Sequence, residues 1–186
     1  LTVAVSAALL AGCASSLPQQ GPTSSQTSFL IGKDGWTTSA LLTAGDNVKG
    51  YRMVGLADGL GAYLNDRNEL VVLMNHELGT NAGVVRAHGQ KGAFVSEWHI
   101  DPATMQVLGG RDLIKKTELT TGSKAFGRFC SADLPAVTAF YNPATGLGTQ
   151  NRIFMNGEEN GPTGRAFAHV ATGPDAGTSH ELLMML

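Results

Sequence analysis

No stretch of this chain repeats its apolar residues at helical spacing through four turns, which removes most of the fold classes open to 186 residues. The apolar residues come instead in short runs bounded by Gly, Pro, Asn and Asp. Such runs fit strands, and the residues between them fit tight turns. Strands are expected over Tyr51 to Gly55, Gly61 to Leu64, Glu69 to Met74, Gly92 to Ile100, Met105 to Leu108, Arg152 to Met155 and Arg165 to Ala171. The polar run Asn65-Asp66-Arg67-Asn68 predicts a hairpin between the second and third of these. Leu70 to Met74 is continuously apolar, so that strand is expected to be covered on both faces. Asp133-Leu134-Pro135 has the chemistry of a short helix start, with the acid as cap and Pro in the first turn.

The turn Asp101-Pro102-Ala103-Thr104 is echoed by Asn142-Pro143-Ala144-Thr145, forty-one positions later. Both use the fixed φ of Pro and the local hydrogen bonding of Asp or Asn. Short strands repeating over about 40 to 45 residues are what propeller blades produce. The expected class is therefore all-β and β-propeller-like, with a sandwich as the alternative. The length suits three to four blades of a six-bladed ring, so the chain reads as a partial propeller.

Composition narrows function more than fold. Hydrophobic residues make up 42% and charged residues 15%, enough apolar content for one domain with a core. Thirteen basic against fifteen acidic residues leave a net charge of -2, with no basic stripe for nucleic acid. No Gly-x-Ser-x-Gly elbow, P-loop, dinucleotide fingerprint or His-Glu-x-x-His is present.

Residues 1 to 13 form an apolar, small-residue segment that ends Leu10-Ala11-Gly12-Cys13. It is too short to span a bilayer and resembles a bacterial lipoprotein signal. The expectation is export to the periplasm or cell envelope, with Cys13 acylated and the membrane met through that anchor only. Residues 14–28, rich in Ser, Gln, Pro and Gly, read as a flexible tether. Residues 29–186 are then the folded domain.

Two runs carry the chemistry. Val71 to Asn81 delivers Asn75, His76 and Glu77 at the end of an apolar strand. Arg128 to Glu159 holds Cys130, Asp133 and the pair Glu158-Glu159 after a second strand. With Cys13 acylated, Cys130 has no disulfide partner. It is either a small buried hydrophobe or, with the nearby acids, a metal ligand. Carboxylates suit calcium, and a thiolate with carboxylates suits iron. Glu77, Glu158 and Glu159 are candidate ligands. Adjacent glutamates point to opposite faces of a strand, so only one of the pair should reach a shared centre, with Glu158 preferred. Asp133 is a cap by preference and a ligand by alternative. His76 either orients a ligand or is simply hydrogen-bonded structure. Arg128 could hold a phosphate through its planar fork.

Three of these segments together, VLMNHELG, GAFVSEWHID and RFCSADLP followed by GTQNRIFMNGEE, resemble the bacterial proteins related to PhoX-type alkaline phosphatases. The resemblance runs from about Gly50 to Gly173. It implies a six-bladed propeller with a central cluster of iron and calcium that hydrolyses phosphate monoesters. By position Cys130 corresponds to the iron-ligand cysteine. Glu158-Glu159 corresponds to the family's Glu-Glu, and Asn75-His76-Glu77 to its Asn-His-Glu. The chain departs from the pattern after the cysteine, where Ser-Ala-Asp-Leu-Pro replaces a Gly-rich, Trp-containing run. The implied reading is a lipid-anchored metal-dependent phosphatase-like hydrolase. The alternative is a non-catalytic binding propeller or an inactive truncated member.

Overall fold

The computed structural model describes residues 16–120 and 122–183, so Cys13, the expected lipidation site, lies outside the described residues. The fold is all-β, built on two large sheets. The first is a four-stranded antiparallel meander of β1 (Ala57–Leu64), β2 (Leu70–His76), β3 (Phe94–Ile100) and β4 (Val107–Asp112), paired in chain order. The second contains β5 (Lys116–Glu118), β6 (Phe129–Asp133), β7 (Ile153–Glu158), β8 (Ala166–Val170) and β9 (Thr178–Glu181). Its order is β6-β7-β8-β9-β5, antiparallel except for the last pair. Neither sheet closes on itself.

The expected hairpin is β1–β2, with Leu64 opposite Leu70 across the Asn65 to Glu69 turn. That turn is held by the Asn65 side chain, whose carboxamide oxygen accepts from the Arg67 and Glu69 amides. Asp101 does the same for the turn between β3 and β4, accepting from Ala103 N at 2.9 Å. Asn142 repeats it at 3.0 Å to Ala144 N. The two Pro-containing turns therefore share a mechanism.

The expectation for Leu70 to Met74 is met. Alternation sends Val71 and Leu73 to one face of the first sheet and Val72 and Met74 to the other. One face joins Val95, Ile114, Phe126, Phe129, Phe154 and Phe167 in the main core between the sheets. The other packs with Trp98, Ile100, Val107, Val48 and Met53 in a second core. Close approach of the sheets depends on two glycines of β1. A Cβ on Gly59 would fall 2.5 Å from that of Ala132, and one on Gly61 would fall 2.6 Å from that of Leu134.

Two expectations are corrected. Asp133 does not cap a helix: it ends β6, paired with Met155, and the only helical turn nearby is the 3-10 segment Val137–Ala139, preceded by Ala136 with no side-chain cap. Asp133 is drawn into a ladder whose backbone bonds outweigh one local cap. The tether, from Ser16 onward, is tied to the domain. Gln19–Gln20 pairs in parallel with Ser39–Ala40, buried Ser24 bonds Thr43, and Val107 N donates to Thr23 Oγ1 at 2.9 Å. Its Ser, Thr and Gln side chains satisfy backbone groups of the domain, a use that composition does not reveal.

Candidate functional site

The ends of β2 and β7 and the start of β6 meet at one edge of the two sheets. Their meeting is fixed by backbone hydrogen bonds outside the ladders. Arg128 N donates to Leu78 O at 2.8 Å, and Glu159 N donates to Arg128 O at 2.9 Å. Arg128 sits in the left-handed region with φ 42°, a conformation that costs a non-glycine residue about 1–3 kcal/mol. The neighbouring bonds hold it there, and the guanidinium points between two acids. Arg128 donates to Glu77 Oε1 through Nε at 3.0 Å and through Nη2 at 2.7 Å, and Nη2 also contacts Glu159. The side chains of Arg128 and Glu159 are about half exposed, whereas that of Glu77 is 20% exposed.

Cys130, partly buried, lies beside this trio. Burial, the charges of Asp58 and Glu159, a hydrogen bond to Asp58 and the charge of Glu77 all push its thiol above the usual range. The sulfur thus lies among acids. Four sequence-predicted residues, Glu77, Arg128, Cys130 and Glu159, are therefore brought together from three separate segments. Asp58 completes the group and was missed. In the sequence it sits in Ala-Asp-Gly, which has the look of a turn, and nothing local marks it as a strand residue facing Cys130.

Glu158 goes elsewhere. Its side chain is 2% exposed and accepts from Arg165 Nε at 2.9 Å, Arg165 Nη2 at 2.7 Å and Gly127 N at 2.8 Å. Opposite sidedness of adjacent strand residues operates as expected, but the preference between them reverses: Glu159 faces the cluster and Glu158 is sealed against Arg165. Asp133 is exposed at the far end of β6, three residues from Cys130, on a shallow groove with Ser131 and Met155.

His76 is fully buried, and both of its ring nitrogens are hydrogen-bonded. Its Nδ1–H donates to Val54 O at 3.0 Å, so Nε2 accepts from Ser96 Oγ at 2.8 Å, and Ser96 Oγ in turn accepts from Trp98 Nε1 at 2.8 Å. The ring stacks on Phe94 at 4.1 Å between centroids. Burial lowers its pKa to about 4, which keeps it neutral and suits the one-donor, one-acceptor role. Next to it, Asn75 joins the sheets. Its Nδ2 donates to Ser131 O at 3.1 Å, and its Oδ1 accepts from Asn156 Nδ2 at 2.9 Å. Asn156 Oδ1 then accepts from His169 Nε2 at 2.9 Å. His169 is fully buried, and desolvation lowers its pKa to about 3. These polar residues organise the floor beneath the cluster.

The donor types at the cluster match calcium and iron chemistry, but their placement does not match a coordination shell. Among the described residues no three His, Cys, Asp or Glu side chains converge closely enough to hold a metal ion. The positive charge between Glu77 and Glu159 is that of Arg128 itself. Among the described residues no helix is long and apolar enough to cross a membrane. Comparison with protein-family models, curated proteins and solved structures returned no match.

Proposed function

We propose that this chain is an exported, lipid-anchored domain of β-propeller type, and that the Arg128 cluster is the edge at which it binds a phosphate monoester, as in a PhoX-like hydrolase. One observation supports the reading. Strand ends from both sheets bring Glu77, Arg128, Cys130 and Glu159 to a single solvent-facing point. The one blade-like four-stranded meander, β1 to β4, supports the propeller, and the sequence resemblance supplies the substrate class.

The chain's own contribution is to bind and orient. Arg128 is the group able to grip phosphate oxygens in bidentate fashion. Glu77, the more buried acid, holds the guanidinium at Nε and Nη2, while the exposed Glu159 is the partner that an incoming phosphate displaces. Calcium and iron would supply charge neutralisation during hydrolysis. The described residues do not form their shell, so no step is assigned to them. A second reading, a non-catalytic binding domain, is favoured by the commitment of Glu158 and His76 to structure and by the double pairing of Arg128.

Phosphomonoesterase assay of the full chain with Ca²⁺ and Fe supplied, together with metal analysis, separates the two. Turnover that falls at least about a hundredfold in Arg128→Ala, a loss of the size expected for one charged transition-state donor, supports the hydrolase. Absent turnover with phosphate-ester binding that still needs Arg128 leaves the binding domain. Neither turnover nor binding ends both.

A further inference from the structure

Among the described residues, four large apolar side chains are exposed together on one loop. Phe29, Leu30, Ile31 and Trp36 are between 61 and 89% exposed, and Leu17 beside them is 83% exposed. The loop is ordered by its own hydrogen bonds. Trp36 N donates to Lys33 O at 3.0 Å across Asp34 and Gly35, whose φ values of 54° and 84° make a tight turn. Thr38 Oγ1 bonds Leu30 O across the base. Ser16 is pinned to the same loop, with its N donating to Gly32 O at 3.2 Å and its Oγ to Trp36 O at 2.7 Å.

Ser16 is three residues after Cys13. Chain geometry allows at most about 11 Å between their Cα atoms. The residue expected to carry the acyl chains is therefore leashed to the base of a loop that presents two aromatic and two branched aliphatic side chains to solvent. Trp and Phe on a small turn favour the interface between bilayer headgroups and acyl chains. Lys33 and Asp34 at the tip cancel, so apolar area rather than charge would govern binding.

We infer that the Phe29–Trp36 loop inserts into the bilayer surface beside the anchor and sets how the domain sits on the membrane. The inference rests on the reading of Cys13 as acylated, and it adds a second membrane contact to the single one expected from the sequence. The expected binding to phosphatidylcholine vesicles is therefore about as strong as to vesicles containing phosphatidylglycerol.

The chain offers its own reporter. It has two tryptophans; Trp98 is buried and hydrogen-bonded to Ser96, while Trp36 is 77% exposed. Emission changes on adding lipid therefore come from Trp36. The full chain, purified as its producing cell processes it, is mixed with vesicles of each composition. The expected result is a blue shift, quenching by brominated acyl chains, and a loss of the inserted fraction of roughly tenfold or more in the double variant Phe29→Ser, Ile31→Ser. Both replaced side chains are exposed, so the fold is kept. Emission unchanged at saturating lipid, with an aqueous quencher still reaching Trp36, overturns the inference. So does burial of Trp36 without lipid through self-association seen in sedimentation. The mass of the N-terminal peptide from the same sample reads the anchor separately. An acylated Cys13 with an unshifted Trp36 keeps the anchor and removes the loop; a shifted Trp36 with no acyl mass does the reverse.

Discussion

Replacing Glu158 with Gln tests whether the first acid of the pair is structural. The carboxylate is almost wholly buried and accepts from both the guanidinium of Arg165 and the Gly127 amide. Arg165 is itself 15% exposed, stacks over Phe167 and donates to Ser123 O and Ala125 O. Gln keeps the shape but removes the charge, and its NH2 must face one of those N–H donors. Breaking a buried pair on one side costs about 3–5 kcal/mol, because the surviving charge keeps its desolvation penalty. At about 2–4 °C per kcal/mol for a domain of this size, the melting temperature should fall by roughly 6–20 °C. The apolar double variant Glu158→Leu, Arg165→Met should recover most of the loss, since it leaves no buried charge behind. Glu159→Gln, at an exposed pair, should change stability by less than about 1 kcal/mol. Thermal and urea unfolding of the four proteins decide the matter. A Glu158→Gln protein as stable as the parent refutes the reasoning. A loss confined to metal-dependent activity at unchanged stability would instead restore Glu158 as a ligand.

Other consequences follow from the buried network and the cluster. His76 and His169 are held neutral, with folded pKa values of about 4 and about 3 against an ordinary 6.5. The unfolded chain therefore takes up protons first as pH falls. Stability should be level above about pH 6.5 and decline by roughly 1.4 kcal/mol per pH unit per histidine down to about pH 4, which urea midpoints at several pH values would show. Asn75→Ala removes the amide that joins both sheets and strands Asn156 Nδ2, so a loss of about 2–4 kcal/mol is expected in the same assay. Gly59→Ala forces its Cβ into Ala132 and should cost about 1–3 kcal/mol, with the wedge driven in next to Cys130. Cys130 should alkylate slowly near neutral pH and faster in Asp58→Asn, because one of the charges raising its pKa is gone; an unchanged rate would remove Asp58 from the cluster.

Much of this architecture is local in origin. The hairpin at Asn65, the turns at Asp101 and Asn142 and the two-faced burial of Leu70 to Met74 each follow from residues within a few positions, because turn chemistry and strand alternation are short-range effects. The coming together of Glu77, Arg128 and Cys130 was also legible, since each stands at the end of a strand-like run and strand ends gather at a sheet edge. What the sequence misjudged, left open or missed depends on partners supplied by other segments. Glu158 is drawn inward by Arg165, seven residues on and across a turn. His76 is sealed by Val54 and by Ser96 and Phe94 of β3, from two other segments. Asp58 reaches Cys130 only because Gly59 lets β6 lie against β1.

The amino-acid order alone settled that this is a β-rich chain of short strands and tight turns, with one cysteine and several acids at strand ends, because period and turn type need no knowledge of distant residues. Only the tertiary structure decided which acid of Glu158-Glu159 faces Arg128, which histidines are sealed, and that Ser16 is tied to an exposed apolar loop. Those outcomes turn on which long-range partner removes each polar group from water, and a linear pattern carries no record of that partner.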